Sequence, residues 1–191
     1  MLLEPQQEII GIKDSTITNF WQWAYSDILS NRNRSIFAEY LVAKALNLDN
    51  TARIEWDSKD LSYKGINIEV KSSAYAQSWG QNKESKISFD IEKKKCWNQE
   101  NNTYSSDKQR NSDFFIFCLY FKFSKKIIDV IDVSNWHFYI LSKEIIDSEY
   151  GNQKRVVLNK LKELTDVIEY NKINEYFENA KNKRNPTTAS T

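Results

Sequence analysis

Apolar residues in the first quarter of the chain recur at helical spacing in two successive stretches. The first stretch follows Asp14 or Ser15, either of which can cap a helix, and the polar residues 30–34 interrupt it. The second stretch covers residues 35–46. The apolar positions are Ile17, Phe20, Trp21, Ala24 and Ile28 in the first stretch and Ile36, Phe37, Tyr40, Leu41 and Ala45 in the second. We therefore predict two helices before the first strand.

Residues 60–73, DLSYKGINIEVKSS, alternate apolar and polar side chains on both sides of a Lys64–Gly65 step. This alternation is the period of a strand with one buried face, and a two-residue turn between two such runs predicts a β-hairpin. A turn of that length sets Asp60 directly opposite Glu69. The predicted apolar face is Leu61, Tyr63, Ile66, Ile68 and Val70, and the predicted polar face is Asp60, Ser62, Asn67, Glu69 and Lys71.

The remaining pattern predicts strands and helices in mixed order. Strands are expected over residues 53–56, 87–91, 114–121 and 136–141, helices over 143–150 and around 173–180, and a loop with some helical turn over 92–112. Helices that precede and follow strands in this way indicate an α/β layer architecture. We predict a single domain over residues 1–180 and a polar C-terminal tail over 181–191 that is disordered.

Composition narrows the class of protein. The chain has 191 residues with only 4 Gly and 2 Pro, which disfavours a β-sandwich with many tight turns. The longest apolar run, FFIFCLYF over 114–121, is too short to span a bilayer, and the first ten residues lack the basic region of a signal peptide. Two cysteines are too few for a disulfide scaffold, so we expect a cytoplasmic protein without a membrane partner.

Charge and histidine content restrict the possible chemistry. A net charge of +1 permits a local basic groove but is far from that of a nucleic-acid coat protein. His137 is the single histidine, so two-histidine metal sites are excluded, and any Ser-His-Asp or Cys-His mechanism would have to use it. In its apolar strand this histidine is expected to be structural.

The predicted polar face of the hairpin has the residues of a metal site. Asp60 and Glu69 would repel each other across the hairpin, and a divalent cation between them would remove that cost. Oxygen ligands of this kind suit Mg²⁺ or Mn²⁺. Lys71, two residues beyond Glu69, is predicted to hold or deprotonate a water, or to stabilise charge on a phosphate. Together these groups suffice for hydrolysis of a phosphodiester.

The bare acid-x-Lys pattern is common and has an ordinary alternative interpretation as solvated surface. It occurs here four times, at Asp57–Lys59, Glu69–Lys71, Glu84–Lys86 and Glu92–Lys94. Only Glu69–Lys71 lies in a clear strand with a carboxylate registered opposite. The remaining alternative is a plain α/β domain whose hairpin face is open and solvated, whereas a site would be concave.

A helix with Glu39, then Asp60, then Glu69-Val70-Lys71 and further core strands resembles the arrangement in PD-(D/E)XK nucleases. The resemblance covers roughly residues 35–121. It implies a restriction-endonuclease-like fold, which is an α/β fold with a mixed central sheet flanked by helices. It also implies Mg²⁺ at Asp60 and Glu69, the backbone carbonyl of Val70 as a further ligand, and Lys71 as the catalytic lysine.

The resemblance leaves two assignments undecided, the role of Glu39 and the identity of the first metal ligand. Glu39 would reach the metal directly or through water, and the alternative is a surface glutamate at the edge of the apolar stripe. Lys59 stands where the family has proline, and Asp57 is a rival to Asp60 as the first metal ligand. Asp60 is preferred because only it pairs directly with Glu69 in the short-turn register.

The resemblance also suggests residues that contact substrate. Ser73 and Gln77 follow the lysine, where family members often place substrate-contacting polar residues, and the alternative for Gln77 is a solvent-facing amide. Lys86 belongs to a basic stretch that suits phosphate contacts or an ordinary solvated face. Tyr75 and Trp79 suit stacking on bases or burial in the core.

The hypothesis from the sequence is a divalent-metal-dependent nuclease, an endonuclease or a nuclease-like enzyme, that hydrolyses phosphodiester bonds in DNA. A homodimer would suit the cutting of both strands of a duplex. The alternative is a catalytically inactive nucleic-acid-binding or assembly module on the same fold. The sequence leaves open the choice of DNA or RNA, endonucleolytic or exonucleolytic cleavage, the cleavage specificity, the oligomeric state and the biological pathway.

Overall fold

The computed structural model of the chain describes residues 2–55, 59–98 and 103–184. The helices are α1 (Ile17–Tyr25), α2 (Asn31–Ala45), α3 (Ile127–Ile131), α4 (Lys143–Tyr150), α5 (Leu158–Leu164) and α6 (Ile173–Arg184). The strands are β1 (Leu61–Tyr63), β2 (Ile66–Ala74), β3 (Ser88–Asp90), β4 (Lys94–Asn98), β5 (Thr103–Gln109), β6 (Phe114–Tyr120), β7 (Trp136–Ser142) and β8 (Arg155–Val157). None of the described helices is long and apolar enough to cross a membrane.

Four strands form the central sheet in the order β1-β2-β6-β7. β1 and β2 are antiparallel, β2 and β6 are parallel, and β6 and β7 are antiparallel. The prediction of a mixed central sheet flanked by helices is therefore confirmed. β3 with β8 and β4 with β5 form two further antiparallel pairs outside this sheet.

The central strand β6 is apolar on both faces because helices or strands cover both sides of the sheet. Every residue of β6 is buried, and alternate side chains enter two different clusters. The first cluster joins Phe114 and Ile116 of β6 to α2 and α6, and the second joins Phe115 and Phe117 to β3, β8 and α5. The predicted strand over 114–121 thus holds the two layers together.

The second helix begins earlier than the sequence pattern indicates. α2 starts at Asn31 with Ser30 as its cap, whereas the prediction began it at residue 35. The polar residues are tolerated because they have internal partners: the Asn33 amide donates to the carbonyl of Ala24 at 3.3 Å, and Arg34 Nε donates to Ser72 Oγ at 3.1 Å. The polar stretch is the start of a helix rather than a break.

Two other predicted segments differ in the structure. Residues 92–112, predicted as a loop with helical turn, contain β4 and β5, which form an antiparallel ribbon. The strand predicted over 53–56 is wrong for its described residues 53–55, which have no regular structure, and residue 56 lies outside the described part. Both errors concern polar stretches without the apolar periodicity on which sequence prediction depends.

The C-terminal helix is longer than predicted. α6 continues to Arg184, so residues 181–184 are not part of a disordered tail. Arg184 forms ion pairs with Asp113 at 2.8 Å and Glu144 at 2.9 Å, which hold the last turn against the body. Residues 185–191 lie outside the described residues. The helix predicted over 143–150 and the strands near 87–91 and 136–141 are confirmed.

Candidate active site

The hairpin register agrees with the prediction. Lys64 and Gly65 form the turn with φ values of 50° and 82°, as a two-residue turn with two left-handed positions requires. Leu61 pairs with Ile68, so the register continued by one residue sets Asp60 opposite Glu69. Two carboxylates and Lys71 therefore converge on one face, because alternate residues of a strand share a face.

Asp60 is fixed by the backbone of the neighbouring strand. Its Oδ2 accepts a hydrogen bond from the amide of Val70 at 2.7 Å. Burial, and next the negative charge of Glu69, raise the pKa of Asp60 to about 7. The hydrogen bond from Val70 acts in the opposite direction but is outweighed. The charge of Glu69, which the register places opposite, is therefore the second contribution to this raised pKa, after burial.

Glu69 and Lys71 form an ion pair on the same face of β2. The side chains are 21% and 19% exposed, so this face is half-buried rather than an open solvated surface. Burial disfavours the ammonium of Lys71, but the charge of Glu69 and its hydrogen bond outweigh burial and raise the pKa of Lys71. Ser112, which precedes β6, donates from Oγ to the second carboxylate oxygen of Glu69 at 3.3 Å.

Glu39 lies on α2 and is buried, so its interpretation as a surface glutamate is wrong. Arg53 binds both of its carboxylate oxygens, through Nε and, at 3.2 Å, through Nη2. The negative charge of Glu39 also contributes to raising the pKa of Asp60. Glu39 is therefore close enough to act electrostatically on the hairpin carboxylates, while its oxygens are engaged by a guanidinium.

A cavity of about 510 Å³ lies between α2, residues 48–54 and the start of β1. Glu39, Arg53 and Asp60 line it, together with apolar side chains of α2. Glu69 and Lys71 do not line this cavity. Asp60 and Ser62 of the polar hairpin face both line the cavity, so the candidate site is concave on this side.

Comparison with known proteins gives a family for this arrangement. Residues 13–159 match the family described as bacteriophage T4 endonuclease IV, which is more than half of the 191 residues. The chain belongs to the bacteriophage T4 endonuclease IV family. The protein is therefore a nuclease that acts on nucleic acid. No curated protein and no solved structure matches the chain.

The matched region of this endonuclease family member contains all the site residues predicted from the sequence, from Glu39 to Lys86. In the described part of the chain no three acidic, histidine or cysteine side chains form a ready-made metal cluster. Asp60 and Glu69 are an opposed pair, and Glu39 is bound to Arg53. Asp57, the rival first ligand, lies outside the described residues.

The predicted substrate-contacting residues of the endonuclease lie in different environments. Gln77 is 7% exposed, so the alternative of a solvent-facing amide is wrong. Its side chain accepts from Arg34 at 3.1 Å and donates to the carbonyl of Ala74 at 2.8 Å, which gives it a structural role in this state. Ser73 is half-buried in β2, in step with Glu69 and Lys71, and Lys86 is exposed.

Three residues near the site carry no signal in the sequence. Arg53 engages Glu39, Ser112 donates to Glu69, and Asp90 at the end of β3 adds to the field that raises the pKa of Lys71. Each acts across at least 14 residues of chain, and the Ser112–Glu69 contact spans 43. Neither periodicity nor a local motif carries a signal for such contacts, so only the folded chain could reveal them.

Proposed function

We propose that this endonuclease is a divalent-metal-dependent deoxyribonuclease of the PD-(D/E)XK type. One observation carries the proposal: Asp60 stands opposite Glu69 on a half-buried hairpin face that also bears Lys71. The mixed sheet, with the hairpin beside a parallel buried strand and helices on both sides, is compatible with a restriction-endonuclease-like fold. Membership in an endonuclease family supports the reaction class.

The donor set fits a hard divalent cation. Asp60 and Glu69 supply carboxylate oxygens, as Mg²⁺ and Mn²⁺ prefer, and their mutual repulsion would be relieved by positive charge between them. The carbonyl of Val70 is the proposed further ligand. When bound, the cation would polarise the phosphate and neutralise charge that develops on it.

Lys71 is proposed to stabilise negative charge on the scissile phosphate. Its raised pKa keeps the ammonium form near neutral pH, which favours this role over removal of a proton from water. The ion pair with Glu69 and the hydrogen bond from Ser112 to Glu69 hold the acidic and basic groups in a fixed relation. Such preorganisation is what electrostatic catalysis requires.

Glu39 is proposed to support the site through its charge or through a water. Direct ligation would require Arg53 to release the carboxylate. Arg53 lines the cavity beside Asp60, so a guanidinium released from Glu39 would be available to a substrate phosphate. The Glu39–Arg53 pair is therefore the part of the proposed site that differs most from the arrangement expected with metal and substrate.

The test is cleavage of plasmid and single-stranded DNA with Mg²⁺ or Mn²⁺ and then with EDTA. Wild type is compared with Glu69→Gln and with Glu163→Gln, a matched control in an exposed side chain on α5. We expect metal-dependent cleavage by wild type and the control, and its loss in Glu69→Gln. Cleavage that persists in EDTA, or that Glu69→Gln retains, would show that the proposed chemistry is wrong.

If none of the proteins cleaves DNA, calorimetry with Mn²⁺ decides between two explanations. Binding of Mn²⁺ that Glu69→Gln abolishes would retain the metal site and direct the search to other nucleic-acid substrates. The absence of binding would favour the alternative, a nucleic-acid-binding or assembly module without turnover.

A further inference from the structure

The ribbon formed by β4 and β5 stands apart from the layers of the fold. Its strands pair with each other and with no other strand of the described chain. β5 is exposed along almost its whole length, and no described residue of either strand belongs to the two hydrophobic clusters. A two-stranded ribbon is marginally stable on its own, and the side chains that the structure describes in this one add nothing to either hydrophobic cluster.

The base of the ribbon is firmly attached to the body. Arg110, directly after β5, is 2% exposed. It donates to the carbonyl of Ile91 at 2.8 Å and to that of Gly151 at 3.0 Å, and it forms an ion pair with Asp147. A buried arginine with this many partners fixes the direction in which the ribbon leaves the body.

The segments of chain just before β4 and just after β5 pass next to the proposed cleavage site. Ser112, three residues after β5, donates to Glu69. Asp90, four residues before β4, ends strand β3, which packs against β2, the strand that carries Glu69 and Lys71. Its carboxylate lies 3.6 Å from the ammonium of Lys94. A nucleic-acid strand at the hairpin carboxylates would therefore lie beside the ribbon.

Two lysines oppose each other at the lower part of the ribbon. Lys95 pairs with Lys108 in the antiparallel register, and both side chains are exposed. Like charges directly opposite in a strand pair are destabilising. Neither lysine forms an ion pair with any residue that the structure describes, and nearby Glu92 is paired with Lys154 at 2.8 Å. Lys93, on the same side, donates to the amide oxygen of Asn152 at 3.1 Å.

We propose that the β4–β5 ribbon is a phosphate-binding arm. In this arrangement Lys95 and Lys108 contact the backbone of the nucleic-acid substrate next to the cleavage site. A phosphodiester between or beside the two ammonium groups attracts both of them and offsets their mutual repulsion. The polyanionic backbone also releases counterions when lysines neutralise its charge. The proposal rests on the nuclease function proposed above, because it places the substrate at the Asp60–Glu69 face. It adds a binding surface that is distinct from the reacting groups.

The test measures binding without cleavage. Labelled single-stranded and duplex DNA of one sequence are titrated with the full chain in EDTA, by fluorescence anisotropy, between 50 and 200 mM salt. The variant is Lys95→Gln with Lys108→Gln. The matched control is Lys172→Gln with Lys183→Gln, two exposed lysines in the helical layer on the other face of the sheet.

We expect the slope of log affinity against log salt to fall by about 1.4 on single-stranded DNA or about 1.8 on duplex DNA in the ribbon variant. Between 50 and 200 mM salt, the ribbon variant should therefore lose affinity by a factor about tenfold smaller than wild type does. The control should keep the wild-type slope. A ribbon variant with the wild-type slope, a control with an equal loss, or a wild type that binds neither probe would overturn the proposal.

Two further readouts separate this proposal from the proposed function. In Mg²⁺ the ribbon variant should show a raised KM with unchanged kcat, whereas Glu69→Gln should lose cleavage and keep the wild-type salt slope in EDTA. A wild type that binds with the expected slope but never cleaves contradicts the proposed function and leaves the arm intact. The ribbon variant should melt no lower than wild type, which excludes a loss of binding through misfolding.

Discussion

The β1–β2 hairpin and the β4–β5 ribbon each place two like charges opposite one another, negative in the hairpin and positive in the ribbon. Asp60 stands opposite Glu69 in one antiparallel pair, and Lys95 stands opposite Lys108 in the other. The carboxylate pair is half-buried, and burial with the neighbouring charge raises the pKa of Asp60 to about 7. The lysine pair is exposed to water and salt, which screen like charges at the surface.

The difference between the two pairs concerns the ligand that each would accept. A half-buried carboxylate pair suits a small, dense positive charge such as a divalent cation. An exposed lysine pair on a ribbon suits an extended polyanion that remains partly hydrated. In both places, two like charges stand opposite each other where the proposed reaction would bind a group of the opposite charge.

The largest effect is expected for Lys71→Ala. Removal of a positioned ammonium from the proposed phosphate site should lower kcat by about 10²–10⁴-fold, as for other groups that act in the transition state. The measurement is plasmid cleavage in Mg²⁺ under saturating substrate, with Lys172→Ala as an exposed-lysine control. Metal-dependent cleavage that survives unchanged in Lys71→Ala would remove this lysine from the mechanism.

The carboxylate pair should make the stability of the protein depend on divalent cations. A cation that binds only the folded state, at about 100 times its Kd, adds about 2.7 kcal/mol to the free energy of unfolding. For a chain of this length that shift raises the Tm by roughly 5–10 °C. Thermal melts with Mn²⁺ and with EDTA provide the measurement. Glu69→Gln should lose most of the shift, and an equal shift in that variant would place the cation elsewhere.

The raised pKa of Asp60 predicts how the metal-free protein responds to pH. The folded state holds the proton up to about pH 7, whereas the unfolded state releases it near 3.8. Folded chains therefore bind more protons between these values, and the free energy of unfolding should fall as pH rises through that window. A loss on the order of 1–2 kcal/mol is expected once solvent screening is allowed for.

Asp60→Asn tests that explanation, since the amide carries no charge and can still accept from Val70. In EDTA this variant should lack the stability loss between about pH 4 and 7 and should melt above wild type at pH 8. Chemical denaturation at several pH values gives the comparison. A parallel pH dependence in both proteins would mean that another group is responsible.

The smallest effect is expected at the exposed pair. Replacement of Lys95 by Gln removes one of two opposed charges on the ribbon and should change the free energy of unfolding by only a few tenths of a kcal/mol, in the stabilising direction. High salt should reduce the gain, because it screens the repulsion in wild type. Urea denaturation at low and high salt measures both. A loss above about 1 kcal/mol would show that Lys95 has a structural partner.

Elements whose structure depends on neighbouring residues in the chain could be predicted from the sequence. The alternation around Lys64–Gly65 predicted the hairpin register, both of its faces and hence the convergence of Asp60, Glu69 and Lys71. The apolar run at 114–121 predicted the buried strand β6 for the same reason. Neighbouring side chains determine a two-residue turn and a period-two pattern, so no distant contact is needed to interpret them.

Segments rich in polar residues could not be predicted in this way. The start of α2 depends on partners for Arg34 that come from Ser72 and Gln77, about 40 residues away in the chain. The ribbon depends on backbone pairing between polar stretches that carry no apolar period. Gln77 accepts a hydrogen bond from Arg34 and so has a structural role, whereas its position after Lys71 predicted a contact with substrate.

The sequence by itself determined the mixed α/β architecture and the carboxylate-lysine face of the hairpin, because both follow from patterns that repeat within a few residues. Only the tertiary structure decided that Arg53 engages Glu39, that Ser112 reaches Glu69, and that a lysine-bearing ribbon leaves the body beside them. These contacts join segments distant in the chain. A polar side chain forms hydrogen bonds with whichever groups the packed core brings close to it. No local sequence pattern predicts which distant groups those are.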